Sequence, residues 1–178
     1  SAKEELGVFS NTHLRNWTDV EKNIGLTSHT SIANAIAEKS ITIVINNNNL
    51  IPLKPQNIKH LTHIIMSTDE GAPDMLKSYL WDVNNTHSNV DEIYVTQPIS
   101  KLRTDEIVSL AKKSDQTLVT LLVRIRMDKG ISTIDSTHAE LLNQLDKENI
   151  PFIVFSFGSP YLPAYEYLDA YVCVYGYG

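Results

Sequence analysis

Short apolar runs alternate with stretches of helical periodicity over most of the chain. The clearest run lies within Pro151–Tyr161, where F-I-V-F-S-F is followed at once by Gly158, Ser159 and Pro160. A run of β-forming residues without polar/apolar alternation is typical of a strand buried on both faces. The turn residues that end it fall where open α/β sheets place ligand sites and interfaces. The stretch therefore predicts a central strand with a turn of interest at its carboxyl end.

The rest of the pattern predicts the layers that would bury such a strand. Five further strands are predicted, at Ser40–Ile45, His60–Ser67, Asp91–Thr96, Thr117–Ile125 and Ala170–Tyr175. Helical spacing of apolar residues predicts helices between them, over about 27–39, 72–81, 104–114 and 135–148. Because strands alternate with helices, we expect right-handed βαβ units and a mostly parallel sheet of about six strands. The predicted fold class is α/β, a three-layer α/β/α sandwich.

Composition narrows the class of partner. The chain has 178 residues, a formal net charge of −6 and a pI near 5.4. This acidic balance argues against a nucleic-acid or anionic-membrane surface, and no apolar stretch approaches the roughly 20 residues of a membrane span. We therefore predict neither a nucleic-acid partner nor a membrane partner. The one cysteine, Cys173, lies in an apolar run and is expected to be a buried small hydrophobe.

Motifs for cofactors and metals are weak. The first strand ends in the four asparagines 46–49 rather than a glycine-rich phosphate loop, which disfavours a nucleotide cofactor. Asparagine tolerates left-handed backbone, so these residues predict a turn. His60 and His63 are three apart on a predicted strand entry, and their side chains should point to opposite faces. We predict no metal site and no cofactor, because zinc needs converging ligands.

Charged residues at the carboxyl ends of strands leave alternatives open. Asp69-Glu70 and Asp128 follow the second and fourth strands, where they are either acid/base groups in a cleft or solvated turn carboxylates. Arg124 and Arg126 share a face if the fourth strand persists, and either bind an anionic group or are simply solvated. Ser159 lacks the G-x-S-x-G context of a nucleophile elbow and is interpreted as a turn residue.

Four stretches, taken in order, resemble the C-terminal domain of glycoside hydrolase family 3. The opening helix and strand of that domain are similar to A-N-A-I-A-E-K-S-I-T-I-V-I-N-N-N-N-L-I-P-L at Ala33–Leu53. The S-F-G-N-P-Y-L turn of the β-N-acetylglucosaminidase-like branch is similar to V-F-S-F-G-S-P-Y-L at Val154–Leu162, and the strand after it to D-A-Y-V-C-V-Y-G at Asp169–Gly176. The family's L-G-L-F, which follows the catalytic barrel, is similar to Leu6–Phe9. The ordered match spans nearly the whole chain.

The resemblance implies a domain organisation. Residues 1–27 would be a lead-in from a missing N-terminal (β/α)8 barrel, and residues 28–178 an α/β sandwich domain that is truncated at its end. The barrel would be the partner within the parent chain and carbohydrate would be the substrate. No signal peptide is visible; a bacterial periplasmic, lipoprotein-anchored or secreted protein would fit if a signal segment was removed.

The resemblance also implies where the chemistry lies. Family members hydrolyse glycosidic bonds with retention, using a carboxylate nucleophile and an acid/base. In the β-N-acetylglucosaminidase-like branch both come from the barrel, and no barrel motif is present here, so no catalytic residue is carried over. The candidates for lining a barrel interface or sugar cleft are Asn46, Ser156, Gly158, Ser159 and Tyr161. Packing and turn geometry would account for the same five residues.

Two hypotheses follow. The first is an accessory C-terminal domain of a family 3-like glycosidase of β-N-acetylhexosaminidase or β-glucosidase type, which docks on the barrel, shapes the cleft and is inactive alone. That role predicts an exposed apolar patch where the barrel would dock. The second is a stand-alone flavodoxin-like module that binds a small ligand or signals. It would need an acidic or phosphate-binding site at the strand ends, for which Asp69 and Asp128 are the hints.

Overall fold

The computed structural model describes residues 2–7, 17–69, 71–125, 133–162 and 166–176. They divide into two compact units, Ser1–Lys39 and Ser40–Gly178. The first unit contains the helices α1 (Ala2–Glu5), α2 (Trp17–Glu21) and α3 (Thr27–Ser40). Helix α3 covers the predicted residues 27–39. The assignment of residues 1–27 to a lead-in and 28–178 to a sandwich domain stays a prediction.

The second unit contains one six-stranded sheet and four helices. The strands are β1 (Thr42–Asn46), β2 (Leu61–Ser67), β3 (Val90–Val95), β4 (Gln116–Val123), β5 (Phe152–Gly158) and β6 (Ala170–Cys173). The helices are α4 (Ala72–Met75), α5 (Lys77–Thr86), α6 (Lys101–Ala111) and α7 (Ser136–Lys147). Short 3₁₀ turns lie at Asn47–Asn49 and Pro55–Asn57. All six strands therefore overlap their predicted positions.

The sheet confirms the predicted fold class. Its strand order is β1-β6-β5-β4-β2-β3, and every neighbouring pair is parallel except β1 and β6. One face packs against α6 and α7, with Ile107 and Leu142 fully buried in the same core cluster as Leu121 of β4. The other face packs against α4 and α5 through a second cluster that contains Ile65 and Leu80. The second unit is thus a three-layer α/β/α arrangement.

Local sequence explains where the two long helices on the first face begin. The Ser100 side chain accepts a hydrogen bond from the Arg103 backbone N–H at the start of α6. The Asp135 carboxylate accepts one from the Thr137 backbone N–H at the start of α7. Both satisfy donors that the first helical turn leaves without an intrahelical partner. Asp135 is also the first residue of the predicted helix 135–148.

The first strand differs from its prediction. The apolar run at Ser40–Ile45 predicts a buried strand, but Ile43 and Val44 are each 52% exposed. The reason is position: β1 lies at one end of the strand order, antiparallel to β6, with a register irregularity between Ile43 and Ile45. An apolar run alone does not distinguish an edge strand from a central one.

The turn after β1 agrees with its prediction. Asn48 and Asn49 have φ angles of 59° and 54°, in the left-handed region that asparagine tolerates. Across the parts of the chain that the structure describes, no helix combines the length and the apolar character needed to cross a membrane.

Candidate functional site at the carboxyl edge of the sheet

The parallel strands β2 to β6 all end on one side of the sheet, here called the carboxyl edge. Open α/β sheets place ligands outside this edge. Three loop segments of interest leave it: Thr68-Asp69 after β2, Arg124-Ile125 after β4, and Ser159–Leu162 after β5. Strands β2, β4 and β5 are neighbours in the sheet, so these loops lie side by side.

The turn after β5 is held by its own polar groups. The buried Ser156 hydroxyl donates to the Ser159 carbonyl at 2.9 Å, and the Tyr161 N–H points at the Ser159 hydroxyl at 3.4 Å. Gly158 has a φ of 85°, a conformation that side-chain-bearing residues rarely adopt. Ser159 is only 1% exposed. Its hydroxyl is therefore part of the turn, in agreement with its interpretation as a turn residue.

Neighbouring strands fix the same turn from both sides. The Ser159 N–H donates to the Val123 carbonyl of β4 at 2.9 Å, and the Gly158 N–H donates to the Tyr175 carbonyl after β6 at 3.1 Å. The Tyr171 hydroxyl of β6 donates to the Pro160 carbonyl. Four of the residues from 156 to 160 thus use side-chain or backbone hydrogen bonds to hold one conformation, which leaves Tyr161 on a rigid support.

The end of β4 also anchors the loop after β2. The buried Ser67 hydroxyl donates to the Leu122 carbonyl at 2.9 Å. Arg124 Nη1 donates to Asp69 Oδ2 at 2.8 Å, and Asp69 Oδ1 accepts from the Gly71 N–H at 3.0 Å. Arg124 is therefore engaged by an acidic side chain of its own chain. Glu70, Arg126 and Asp128, the other charged residues noted at these strand ends, lie outside the described residues.

Three large side chains with substantial apolar surface are exposed at this edge. Ile125, Tyr161 and Tyr175 are 60%, 66% and 45% exposed. They follow β4, β5 and β6, which are consecutive in the strand order. Exposed apolar side chains grouped beside polar loops are typical of an interaction surface. We call these three residues the edge patch.

The structure separates Asn46 from the other four candidate residues. Because β1 is antiparallel to β6, Asn46 pairs with Ala170 at the start of β6, and Ala170 pairs with Ile153 near the start of β5. Asn46 is therefore level with a residue five positions before Gly158, about 16 Å from the carboxyl edge at the rise of a strand. Ser156, Gly158, Ser159 and Tyr161 lie together at that edge.

The Asn46 side chain has a local structural task. Its amide nitrogen donates to the Ile51 carbonyl at 2.9 Å, and its amide oxygen accepts from the Ile51 N–H at 3.0 Å. This two-bond contact closes the turn through Asn47–Asn49. The amide satisfies backbone groups that the turn would otherwise leave unpaired.

The two histidines near β2 have different partners. His60 Nε2 lies 2.9 Å from Asp91 Oδ2 in a partly exposed pair, whereas His63 is fully buried, with Nε2 2.8 Å from the Thr120 hydroxyl. The same hydroxyl lies 3.0 Å from the Tyr79 hydroxyl. Among the residues that the structure describes, no group of three or more histidine, cysteine or acidic side chains is placed to hold a metal ion.

Burial controls the protonation of this group. It lowers the pKa of His63 from 6.5 to about 4, with the Glu92 carboxylate opposing the shift. Burial likewise raises the pKa of Tyr79 to about 12, against its hydrogen bond with Thr120. His63 is thus neutral at pH 7, and the polar contacts in this part of the core are between uncharged groups.

Some features of the edge escape sequence reasoning. Asp69 and Arg124 are each recognisable as strand-end residues, but their pairing spans 55 residues and no local pattern encodes it. Ile125 and Tyr175 stand inside predicted strands, so their exposure was not expected. The available signal was the polar residue immediately before Ile125 and the glycine immediately after Tyr175, which mark strand ends.

Comparison with known proteins identifies the fold. No family model and no curated protein matches the sequence. A β-glucoside phosphorylase, BglX, has a TM-score of 0.70 at 17% identity, over 99% of this chain and 32% of its own. A β-glucosidase from Listeria innocua in complex with isofagomine has a TM-score of 0.66 at 17% identity, over 99% of this chain and 27% of its own.

A third solved structure comes from a fungal multi-domain GH3 β-N-acetylglucosaminidase, with a TM-score of 0.58 at 14% identity, over 85% of this chain and 16% of its own. The chain therefore spans about a third or less of the length of these proteins. At such identities the likeness establishes the fold. The α/β sandwich of this chain is similar to one part of each of these larger proteins.

Proposed function

We propose that this chain is the accessory C-terminal domain of a glycoside hydrolase family 3 enzyme, and that its carboxyl edge docks on a catalytic (β/α)8 barrel. The edge patch of Ile125, Tyr161 and Tyr175 is the observation that carries the proposal. An accessory domain needs such a surface, because residues that close a neighbour's cleft must be exposed in the separate domain.

The turn after β5 supports this role. Residues Val154–Leu162 carry the sequence most similar to the family, and they fold into a turn with Ser156 and Ser159 buried and Tyr161 presented outward. A rigid support lowers the entropy lost when an exposed aromatic side chain binds. Tyr161 is therefore the residue of this chain that we expect to contact the barrel, or a sugar bound beside it.

In this proposal the chain forms part of the wall of the cleft and supplies no acid/base group. Retaining glycoside hydrolysis needs two carboxyl groups about 5–5.5 Å apart. Asp69 lies at the edge, but its carboxylate is held by Arg124 and the Gly71 N–H. The nucleophile and the acid/base of the parent enzyme then come from the barrel, while this domain excludes water and orients the sugar.

The substrate of the parent enzyme would be a β-linked sugar, either an N-acetylhexosaminide or a β-glucoside. The names of the similar structures, a β-glucoside phosphorylase, a β-glucosidase and a β-N-acetylglucosaminidase, support this substrate class. The turn sequence S-F-G-S-P-Y-L favours the N-acetylglucosaminidase type.

The proposal is tested on the parent enzyme encoded by the gene's complete reading frame. A region with barrel-type β/α periodicity should lie upstream of the present sequence; its absence would contradict the proposal. In that enzyme, Tyr161→Ala should lower kcat/KM on aryl β-glycosides about 10-fold or more, as expected for a lost aromatic contact. Trp81→Ala is the matched control, because Trp81 is also 66% exposed but lies on α5.

The present chain provides a second test. Alone, it should show no turnover of aryl β-glycosides above background. Turnover well above background that is lost in Asp69→Asn or Tyr161→Ala would overturn the non-catalytic role. If the chain is instead a stand-alone signalling module, Mg²⁺ or a nucleotide should raise its melting temperature. The engagement of Asp69 by Arg124 weighs against that alternative.

A further inference from the structure

A cavity of about 240 Å³ lies on the α5 face of the sheet, away from the carboxyl edge. Part of its lining comes from Leu61 and Leu118, at or near the starts of β2 and β4. Leu118 is five residues before the end of β4, so this part of the lining lies about 16 Å from the carboxyl edge. The proposed docking role makes no use of it.

One face of helix α5 forms a wall of this cavity. Tyr79, Asp82, Val83 and Thr86 line it, at the i, i+3, i+4 and i+7 spacing that places side chains on one side of a helix. Leu53 and Pro55 line it from the loop before β2. The lining is mainly apolar. Besides Tyr79, its polar side chains are those of Asp82 and Thr86, which are exposed, and His87, which is partly exposed.

Phe155 indicates that the cavity is suited to an occupant. It lies in the middle of β5, between β4 and β6, and it lines the cavity. The preceding residues Ile153 and Val154 are fully buried, but Phe155 is only partly buried. A ring packed on Phe155 would remove this aromatic surface from water, which favours binding.

Tyr79 supplies a polar contact within reach of the same space. Its hydroxyl pairs with the Thr120 hydroxyl, which in turn pairs with His63 Nε2. A phenolic oxygen can donate one hydrogen bond and accept others, so this single pairing leaves Tyr79 capacity for a further bond. His63 Nδ1, at the inner end of this series of bonds, is buried and has no partner among the described residues.

Size and charge define the occupant. A cavity of about 150 Å³ holds benzene, so 240 Å³ suits one six-membered ring with a small substituent. The Asp82 carboxylate at the mouth and the net charge of −6 disfavour an anion. We propose that this cavity binds a small neutral ring compound with one hydroxyl group, its ring packed on Phe155 and its hydroxyl bonded to Tyr79.

The test uses the 178-residue chain and phenol as the probe. Phenol should shift the methyl NMR signals of Leu61, Val83 and Leu118 in a saturable way, with a Kd on the order of 1 mM for a ligand of this size. Benzoate, which has the same ring with a negative charge, should bind at least 10-fold more weakly. Shifts that rise linearly without saturating, or that spread over the whole protein, would overturn the proposal.

Variants separate this cavity from nonspecific binding. Val83→Phe fills the space and should weaken phenol at least 10-fold, whereas Ser78→Phe, at an exposed position of the same helix, should leave it unchanged. Tyr79→Phe should weaken phenol several-fold and leave toluene unaffected. Should Val83→Phe fail to fold, Leu53→Phe fills the space from the loop instead. Equal phenol affinity in the filled variants and in Ser78→Phe would contradict the assignment.

Discussion

Arg124 Nη1 lies 2.8 Å from Asp69 Oδ2, and this pair joins the loops that follow β4 and β2. Two adjacent residues of β4 reinforce the connection, because the Leu122 carbonyl binds Ser67 and the Val123 carbonyl binds Ser159. The end of one central strand thereby sets the position of the loops on both sides of it. The shape of the carboxyl edge depends on these contacts.

Breaking this ion pair should lower stability by a measurable amount. The two side chains are 39% and 21% exposed, so solvent screens the pair in part, and we expect a coupling energy of about 1 kcal/mol. A double-mutant cycle with Arg124→Met and Asp69→Asn, followed by urea denaturation, measures it.

Lys112 and Glu148 provide the matched control for that cycle. Their side chains are 48% and 45% exposed, and the same cycle there should give about 0–0.5 kcal/mol. A coupling at Arg124 and Asp69 no larger than this control value would contradict the anchoring role.

Gly158→Ala should destabilise the turn after β5. At a φ of 85° an alanine side chain is strained, at a cost of about 1–2 kcal/mol. Gly176→Ala is the control, since a Cβ there meets no atom within 4 Å and its φ is not positive. Equal melting temperatures for the two variants would show that the turn does not require glycine.

Tyr171→Phe should loosen the same turn without disturbing the core. The ring of Tyr171 is buried and stays in place, but the hydrogen bond from its hydroxyl to the Pro160 carbonyl is lost, at about 1 kcal/mol. Amide hydrogen exchange should accelerate at Ser159 and Tyr161. Tyr94→Phe, at a position that is 42% exposed, should leave exchange at those two amides unchanged.

Stability should fall as the pH drops through the range 6.5 to 4. His63 has a pKa of about 4 in the folded chain against 6.5 when unfolded, so within this range the unfolded state binds the additional proton. The contribution of neutral His63 to the free energy of unfolding is complete above pH 6.5. It declines as the pH falls toward 4, by about 3 kcal/mol in total. Comparing the pH dependence of urea midpoints for the native chain and His63→Leu measures it.

The difference between those two proteins isolates His63. Asp169, whose pKa burial raises, titrates in both and cancels. The ionisable groups in contact with or acting on His63 are Tyr79, which stays neutral in this range, and Glu92, whose negative charge opposes the shift. Parallel pH profiles for the native chain and His63→Leu would contradict a buried neutral histidine.

The sequence predicts the fold class and the positions of all six strands because periodicity and turn residues are local signals. The helix start at Asp135 and the turn at Asn48 and Asn49 are local in the same sense. Strand direction is not local. Nothing in S-I-T-I-V-I indicates that β1 runs antiparallel to β6 at the edge of the sheet, since a run of apolar residues has no polarity of its own.

The candidate site was predictable to a similar extent. The turn around Gly158 and Ser159 is found from its residues, whereas the placement of Asn46 depends on the direction of β1. The contact between His63 and Thr120 joins residues 57 positions apart, and the sequence around His63 resembles any strand entry. Long-range pairings of single polar side chains carry no periodic signal.

The pairing of β1 with β6 also bears on biosynthesis. Asn47, directly after β1, bonds through its side chain to the Leu168 carbonyl across 121 residues. The ribosome must therefore make the 121 residues that follow Asn47, up to Leu168, before this contact can form. Until then β1, an uncharged and mainly apolar segment, has no partner strand. Unpaired apolar segments of this kind cause nascent chains to associate with one another or with chaperones. Synthesis rate and chaperone supply should thus influence the yield of this protein.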